Sequence, residues 1–589
     1  MKRSVKLWLL VLSLALITAA FTISVFAESK ASLPSGTEGT INWAYSENPE
    51  ESGTYILTIT GTGEMPTPSK ATAVVWRACG DEYYTNTTKV VIGEGVTTIG
   101  KWAFNQFKKL DEIVIPSTVT KIANLGLTGT NIKNLVIPET VTDLNAEAFS
   151  SNSFTSIAIP DTLNPGSAKS IFKNTTIQNV IIYSSDSSTD ISSKIYNNLT
   201  DSNVKSVGSV TVATANGSVT YTGISSVSSG ATVSFTKTEN GGKTSYTMAG
   251  PVPAGTTVTL PYQSGLDASE FAVIGVEGAT YDEESGNVAF AINAAGTFDI
   301  IALPTIKNCA LRINRDINMV YTVSVPAIYS DAVFTVEFMG ETYTLEGTQN
   351  GEYTEYLFEQ IMPQYMTENL TAKLCATYGG KTYEAEARTT SVREYCAHQI
   401  EINSEDAELV ALVSDILVYG AKAQAYASYK TDDLATDGVA IQPSLAYVPE
   451  NKLSHSGEAY DGAKLTAAGL ICADGFKTYV QFTANDTEDL YLVATLNGRE
   501  VRFDVSSLSA CGGLYNVIID DIGAHELDDE LTLSFEKNGE RVGITTVMTV
   551  NSYISYTLNN ADAGTLTDLV SAIATYGNSA KIYYNKIGG

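Results

Sequence analysis

Ile113-Val114-Ile115-Pro116, Leu135-Val136-Ile137-Pro138 and Ile157-Ala158-Ile159-Pro160 decide how this chain folds. The prolines stand 22 residues apart, and three residues past each comes another apolar side chain, Val119, Val141 or Leu163. A unit this short cannot bury its own apolar face. Stacked on its neighbours it can, so the period predicts a solenoid, which suits a binding or scaffolding surface better than a catalytic pocket. Proline lacks an amide donor and ends the ladder at the same place in every rung.

The array extends both ways. Upstream, Val90-Val91-Ile92-Gly93 fills the strand slot, and the Gly95 to Phe104 segment leads into the next unit. Its Ala103-Phe104 pair returns as Ala148-Phe149 and Ile171-Phe172, while the middle unit has Gly126-Leu127. Downstream, Val180-Ile181-Ile182 reads as a last strand slipped by one residue. Each unit is expected to be a short strand, a proline stop, a tight turn and a brief helical or irregular segment plugged by an aromatic.

This pattern resembles the BspA-like leucine-rich repeats of bacterial surface proteins, whose consensus is close to V-x-x-I-G-x-x-A-F…L-x-x-I-x-I-P-x-x-V. The resemblance covers Thr88 to Tyr183. Gly39-Thr40-Ile41-Asn42-Trp43, the Tyr55 to Met65 segment and Trp76 look like the cap that precedes such arrays. The resemblance implies an extracellular, non-catalytic protein associated with adhesion and ligand binding.

Lys2, Arg3 and Lys6 precede an apolar run from Leu7 to Ala27 that ends Val25-Phe26-Ala27, the form of a secretory leader with a small-residue cleavage site. The run is long enough to span a bilayer, so an uncleaved anchor is the competing reading. After cleavage no integral span is expected. The first cysteine is Cys79 and the end of the chain carries no sorting motif, so attachment to a cell is expected to be non-covalent.

With 589 residues and a formal charge of −29, the chain has room for several domains and repels phosphate backbones, which excludes nucleic acid as a partner. No D-x-[DN]-x-[DN]-G loop occurs, so no calcium site is assigned. Cys79, Cys309, Cys375, Cys396, Cys472 and Cys511 contain no C-x-x-C, which argues against structural zinc. No metal or other cofactor is expected.

From Ser206 to Leu303, period-two segments (Val210-Thr211-Val212, Ser218 to Tyr221, Thr232 to Phe235, Thr256 to Leu260, Phe298 to Ile301) alternate with Gly/Ser/Asn-rich breaks, the pattern of a small β-sandwich. Further on, Leu412-Val413-Ser414…Tyr419-Gly420…Ala423…Tyr426 returns 157 residues later as Leu569-Val570-Ser571…Tyr576-Gly577…Ala580…Tyr583. Ser391-Val392-Arg393-Glu394-Tyr395 likewise matches Thr549-Val550-Asn551-Ser552-Tyr553, which marks a duplicated domain with a hairpin at Tyr378 to Lys381 or Lys537 to Glu540. Each copy is expected to end in one helix. Its stripe of Leu412, Ile416, Tyr419, Ala423 and Tyr426, or Leu569, Ile573, Tyr576, Ala580 and Tyr583, reads as a packing face against a sheet rather than a sugar platform. The segments look like domains with S-V-R-x-Y-A and L-x-Y-G-A-x-A-Q-x-Y motifs in secreted proteins of gut-type anaerobes, and the first copy also carries Thr431-Asp432-Asp433-Leu434-Ala435. No activity is implied by that resemblance.

The resulting fold class is multidomain and mainly β: a leucine-rich-repeat solenoid followed by β-sandwich-like domains, the last two each ending in an α-helix. The expected divisions are a leader at 1–27, a cap at 28–87, the solenoid at 88–205, a β-rich spacer at 206–303, a first repeat domain at 304–436, a linker at 437–460 and a second repeat domain at 461–589.

Chemistry has few places to sit. The three histidines are His398, two residues from Cys396 and expected on one strand face with it, His455 and His525. None forms a nucleophile–base set, and no catalytic fingerprint is present, so no catalytic residue is assigned. The expected function is therefore a non-catalytic, secreted or surface-bound bacterial protein that binds an extracellular protein or glycan through its repeats. A structural envelope component and a glycan-active enzyme are the alternatives. The period-two rule puts the ligand face at Val91, Glu112, Val114, Asn134, Val136, Ser156 and Ala158.

The leader makes a direct prediction. N-terminal sequencing of secreted protein should begin at or near Glu28, and recovery of an intact 1–27 segment in membranes would favour the anchor.

Overall fold

The computed structural model describes residues 33–165, 170–313, 317–471 and 476–588, so the expected leader, the first residues of the cap and Cys472 lie outside the described residues. The chain divides into two compact units, one ending at Ala302 and the other beginning at Leu303.

In the first unit the Ile-x-Ile-Pro segments form parallel strands. Thr87–Ile92 pairs with Glu112–Val114, and Asn134–Val136 with Ser153–Pro160. Ile137 and Ile159 are fully buried, and Ile115 packs against the same core. Each proline carbonyl accepts from the amide three residues on: Val119 to Pro116 at 3.2 Å, Val141 to Pro138 at 3.0 Å, Leu163 to Pro160 at 3.1 Å. Those turns lead into a second parallel row where turns were the expectation, formed by Gly63–Glu64, Val96–Ile99, Lys121–Ile122 and Asp143–Leu144.

The remaining side of each rung has no regular structure, yet it repeats closely. Trp102, Leu125, Glu147 and Ser170 have φ between 54° and 62°, as do Gln106, Ser151 and Asn174, with Gly129 at 68°. Two left-handed residues per rung aim alternate amides at the next rung. Phe104 N–H donates to Gly126 at 2.9 Å and Gln106 N–H to Thr128 at 2.8 Å. One rung later, Leu127 donates to Ala148 and Gly129 to Ser150, each at 3.0 Å. Non-glycine residues adopt this conformation at a cost, which the inter-rung bonds offset.

Inside, Phe149 stacks on Phe172 with centroids 5.7 Å apart, and Phe104 on Trp76 at 6.2 Å. Trp76 also donates from Nε1 to the Ala103 carbonyl at 2.8 Å, so the cap supplies the first step of the aromatic ladder. Buried Asn152 satisfies both ends of its amide. It donates to Leu127 and Phe149 carbonyls at 2.8 and 3.0 Å and accepts from the Thr130 amide at 2.8 Å.

The 180–182 segment is not the last strand. Thr176–Tyr183 pairs in parallel with Ser206–Thr214, which turns back antiparallel onto Gly217–Tyr221. The break expected at 205/206 thus falls inside one eight-stranded sheet. A second sheet of five strands faces its far end, and one apolar core runs from Ile41 to Ile300. The composition change at Ser206 reflects a switch from parallel to antiparallel pairing, which needs hairpin turns.

In the second unit the two copies repeat the same pairings. Thr305–Ile313, Ile317–Ser324 and Tyr353–Phe358 correspond to Ala463–Ile471, Phe476–Ala484 and Tyr515–Ile522. Each copy closes with two helices, not one: Val392–Ile402 and Ala407–Ala427, then Val550–Asn560 and Thr565–Lys586. The break arises because Asp406 caps a new helix, its side chain accepting from the Leu409 amide at 3.0 Å.

The tyrosine stripe is core, but its partner is chiefly the other copy's helix. Tyr419 and Tyr576 stack on each other at 5.7 Å and 16°. The stripe's outer end escapes, since Tyr426 is 52% exposed. Gly420 and Gly577 let each helix touch the turn beneath it, where a Cβ would strike Met366 or Leu527. The expected linker is strapped along these helices: Gln442, Ser444, Tyr447 and Lys452 amides donate to Ser414, Asp415, Thr575 and Ser552 side chains at 2.9–3.1 Å.

Two measurements check this packing. Ile137→Asp should destabilise the first unit by about 4 kcal/mol or more, because it buries an unpaired charge, whereas Val136→Asp should be tolerated in a melting experiment. In the second unit, burial pushes the Asp415 carboxyl above its ordinary range, with the Ser444 bonds opposing. Folding therefore disfavours the ionised carboxylate more than the protonated acid, and the stability present at acid pH is lost as pH rises through the folded value. Asp415→Asn should raise the urea midpoint relative to wild type at pH 7 and leave it nearly unchanged at pH 3.5.

Candidate functional site

The outer face of the strand row carries the residues singled out from the sequence. Two lines run across it. The polar line begins with Lys89 and Glu112, paired at 2.6 Å, and continues with Asn134, whose Oδ1 accepts from Ser156 Oγ at 2.9 Å. Beyond the last of these, Asn179 accepts in the same way from Ser209 at 2.9 Å, so the ladder extends past the expected site.

The apolar line is Val91, Val114 and Val136, each partly exposed. Val91 and Val114 are register partners, as are Val136 and Ala158. Ala158 was expected to continue the exposed strip and does not, being 1% exposed. Tyr183 crosses it, packing on Ala158 and Ala213 and donating from its hydroxyl to the Ile137 carbonyl at 2.5 Å. Burial raises the Tyr183 phenol well above its usual range, so it stays a donor at any physiological pH. Ser156 is also buried at 8%. The open part of the face therefore comprises Val91, Glu112, Val114 and Asn134, with Val136 partly exposed at the edge of the Tyr183 patch.

The covering residue left a trace in the sequence. Tyr183 is the register partner of Pro160, in the slot that earlier rungs fill with proline. A large aromatic at an outward position of a late rung has no place to go except over its neighbours. Ser156 and Ala158 were assigned by strand parity alone, which ignores side chains from the next strand.

Cys396 and His398 lie on a helix, not a strand, so two residues' separation puts them on different faces: Cys396 is fully buried and His398 exposed. Burial pushes the Cys396 thiol up to about 12, which suppresses thiolate chemistry. His455 Nδ1 lies 3.0 Å from Thr546 Oγ1, and His525 stacks on Tyr584 at 4.0 Å. Cys79, Cys309, Cys375, Cys396 and Cys511 are all free thiols. Among the described residues no cluster of His, Cys, Asp or Glu could hold a metal ion, and no helix is long and apolar enough to cross a membrane.

The motifs of the duplicated domain also resolve into contacts. Ser391 and Glu394 form a capping box, and Arg393 pairs with Asp433 of the Thr-Asp-Asp-Leu-Ala segment. Gln424, wholly buried, brackets that segment by donating to the Asp433 carbonyl at 2.9 Å and accepting from the Ala435 amide at 2.7 Å. In the second copy Lys581 replaces Gln424 and pairs with Asp529 at 2.8 Å.

Comparison with known proteins agrees with this geometry. The model of the BspA type leucine rich repeat region matches residues 82–203 in six copies. No curated protein matches the chain. Among solved structures, a leucine-rich repeat protein from Eubacterium ventriosum is 21% identical over 31% of this chain and 46% of its own, with a TM-score of 0.20. One from Bacteroides ovatus is 18% identical over 25% and 49%, with a TM-score of 0.17. The leucine-rich repeat protein of T. pallidum is 16% identical over 24% and 68%, with a TM-score of 0.16. The chain thus spans about half the length of the first two. Across residues 82–203 the solenoid matches the model of the BspA-type leucine-rich repeat region.

Proposed function

We propose that this chain is an exported bacterial protein whose solenoid binds an extracellular protein or glycan partner, without catalysis, through the outer face of its strand row. One observation carries the reading: Val91, Val114 and Val136 stand partly exposed in a line beside Lys89, Glu112 and Asn134, Val136 at the margin where it packs against the Ala158–Tyr183 patch. A line of valines on a solvated face gives a monomer little, whereas a partner laid across the strands would bury it. Strand propensity would also favour valine, but propensity does not require the neighbouring polar line to stay open.

The interaction class follows from the array. Parallel rungs offer a flat surface of repeated side chains, suited to an extended partner rather than to a substrate that must be enclosed. The formal charge of −29 favours a neutral or basic partner over an acidic one.

Val114→Glu combined with Val136→Lys alters only outward positions, so the fold should survive by circular dichroism and melting. Screened against glycans and matrix proteins, wild type should retain a partner that the double variant loses. A folded double variant that binds as well as wild type would remove the ribbon from the interaction and leave strand propensity as its explanation.

A further inference from the structure

Each copy of the duplicated domain carries a hollow beside its shorter helix. In the first copy a cavity of about 540 Å³ opens beneath the Val392–Ile402 helix, and in the second a cavity of about 310 Å³ opens beneath the Val550–Asn560 helix. Each is lined by the tyrosine at the same place in its copy, Tyr395 or Tyr553. Ala310 and its cross-strand partner Val320 face Tyr395 in one; Ala468 and its partner Val480 face Tyr553 in the other. These tyrosines are the fifth residues of the Ser-Val-Arg-Glu-Tyr and Thr-Val-Asn-Ser-Tyr segments.

The walls then diverge. The second cavity sets Leu465, Leu533 and Met548 against Tyr553, Tyr556 and His455, with no acidic or guanidinium side chain in its lining. The first lies between the copies and receives Tyr583, Tyr584 and His525 from the second copy. At its mouth the Arg312 guanidinium pairs with Glu355 at 2.8 Å, and the Gln399 amide lies alongside in the lining. Glu355 also accepts from Asn350 at 2.8 Å, which fixes the carboxylate in place.

The geometry points to a neutral pyranose ring, at the end of an oligosaccharide, as the ligand of this first cavity. Its volume falls among small-molecule sites, which combine apolar walls with a few placed polar groups. Tyrosine faces offer a flat apolar surface to the C–H face of a sugar ring. Guanidinium, carboxylate and amide offer planar pairs of donors and acceptors to adjacent hydroxyls. Among the described lining residues Arg312 and Glu355 form one internally balanced ion pair, which favours a neutral ligand over an ionic one. A purely aliphatic ligand would strip water from Arg312, Glu355 and Gln399 without replacing its hydrogen bonds. This site is separate from the solenoid face and does not rest on it.

The test is isothermal titration of the full secreted chain with cellohexaose, maltohexaose, xylohexaose and chitohexaose in turn. At least one should bind, and Tyr584→Ala and Gln399→Ala should each weaken it about tenfold or more. Tyr584 is 40% exposed, so its truncation leaves the core intact. The solenoid variant Val114→Glu/Val136→Lys should bind the same saccharide as wild type does. The assignment is overturned if none of the four binds, if both cavity variants bind like wild type, or if the solenoid variant alone loses the sugar.

Discussion

Everything in the first unit depends on one constraint: no rung can satisfy its own backbone. The strands at 87–92, 112–114, 134–136 and 153–160 are too short to be stable alone, and the irregular side of each rung has no internal ladder. Amides there reach the next rung only because two residues per rung adopt a left-handed backbone. A buried amide without a partner is costly, so stacking is obligatory and the first rung needs a cap. Trp76 meets that need, joining the aromatic ladder by stacking on Phe104 and hydrogen bonding to Ala103.

At the other end the problem is solved by changing the pairing. The 206–214 strand continues the parallel row and then hairpins onto 217–221, so the solenoid's last edge is covered by antiparallel strands of the same sheet. An open edge would be a template for pairing with other chains. Tyr183 sits near this transition, and its ring over Ala158 closes part of the outer face that earlier rungs leave open. The open stretch is thereby confined to the rungs carrying Val91, Val114 and Val136.

The second unit obeys a different rule, in which two copies of a domain complete one another. Each places a helix with a Tyr-Gly pair at its middle: the tyrosine stacks on its counterpart and the glycine rests on a turn of its own copy. Helix polar groups then hold the connecting segment, which has no regular structure between Asp437 and Leu453, by its amides. The cost of that strap is a buried carboxyl at Asp415, an otherwise unfavourable group in a helix core.

The sequence by itself determined whatever repeats. The 22-residue spacing of Pro116, Pro138 and Pro160 set the rungs, their register and the inward isoleucines, and the 157-residue return of Tyr419 as Tyr576 set the duplication. Periodicity is legible because a side chain's direction follows from its own strand or helix. Tertiary structure alone decided what lies over or against those faces. The covering of Ala158 by Tyr183, the stacking of Tyr419 on Tyr576 and the cavity walled by Tyr395 and Tyr584 all join residues from different elements. Local pattern gives each residue an orientation, but contact needs the relative placement of two segments, which depends on packing across the whole unit.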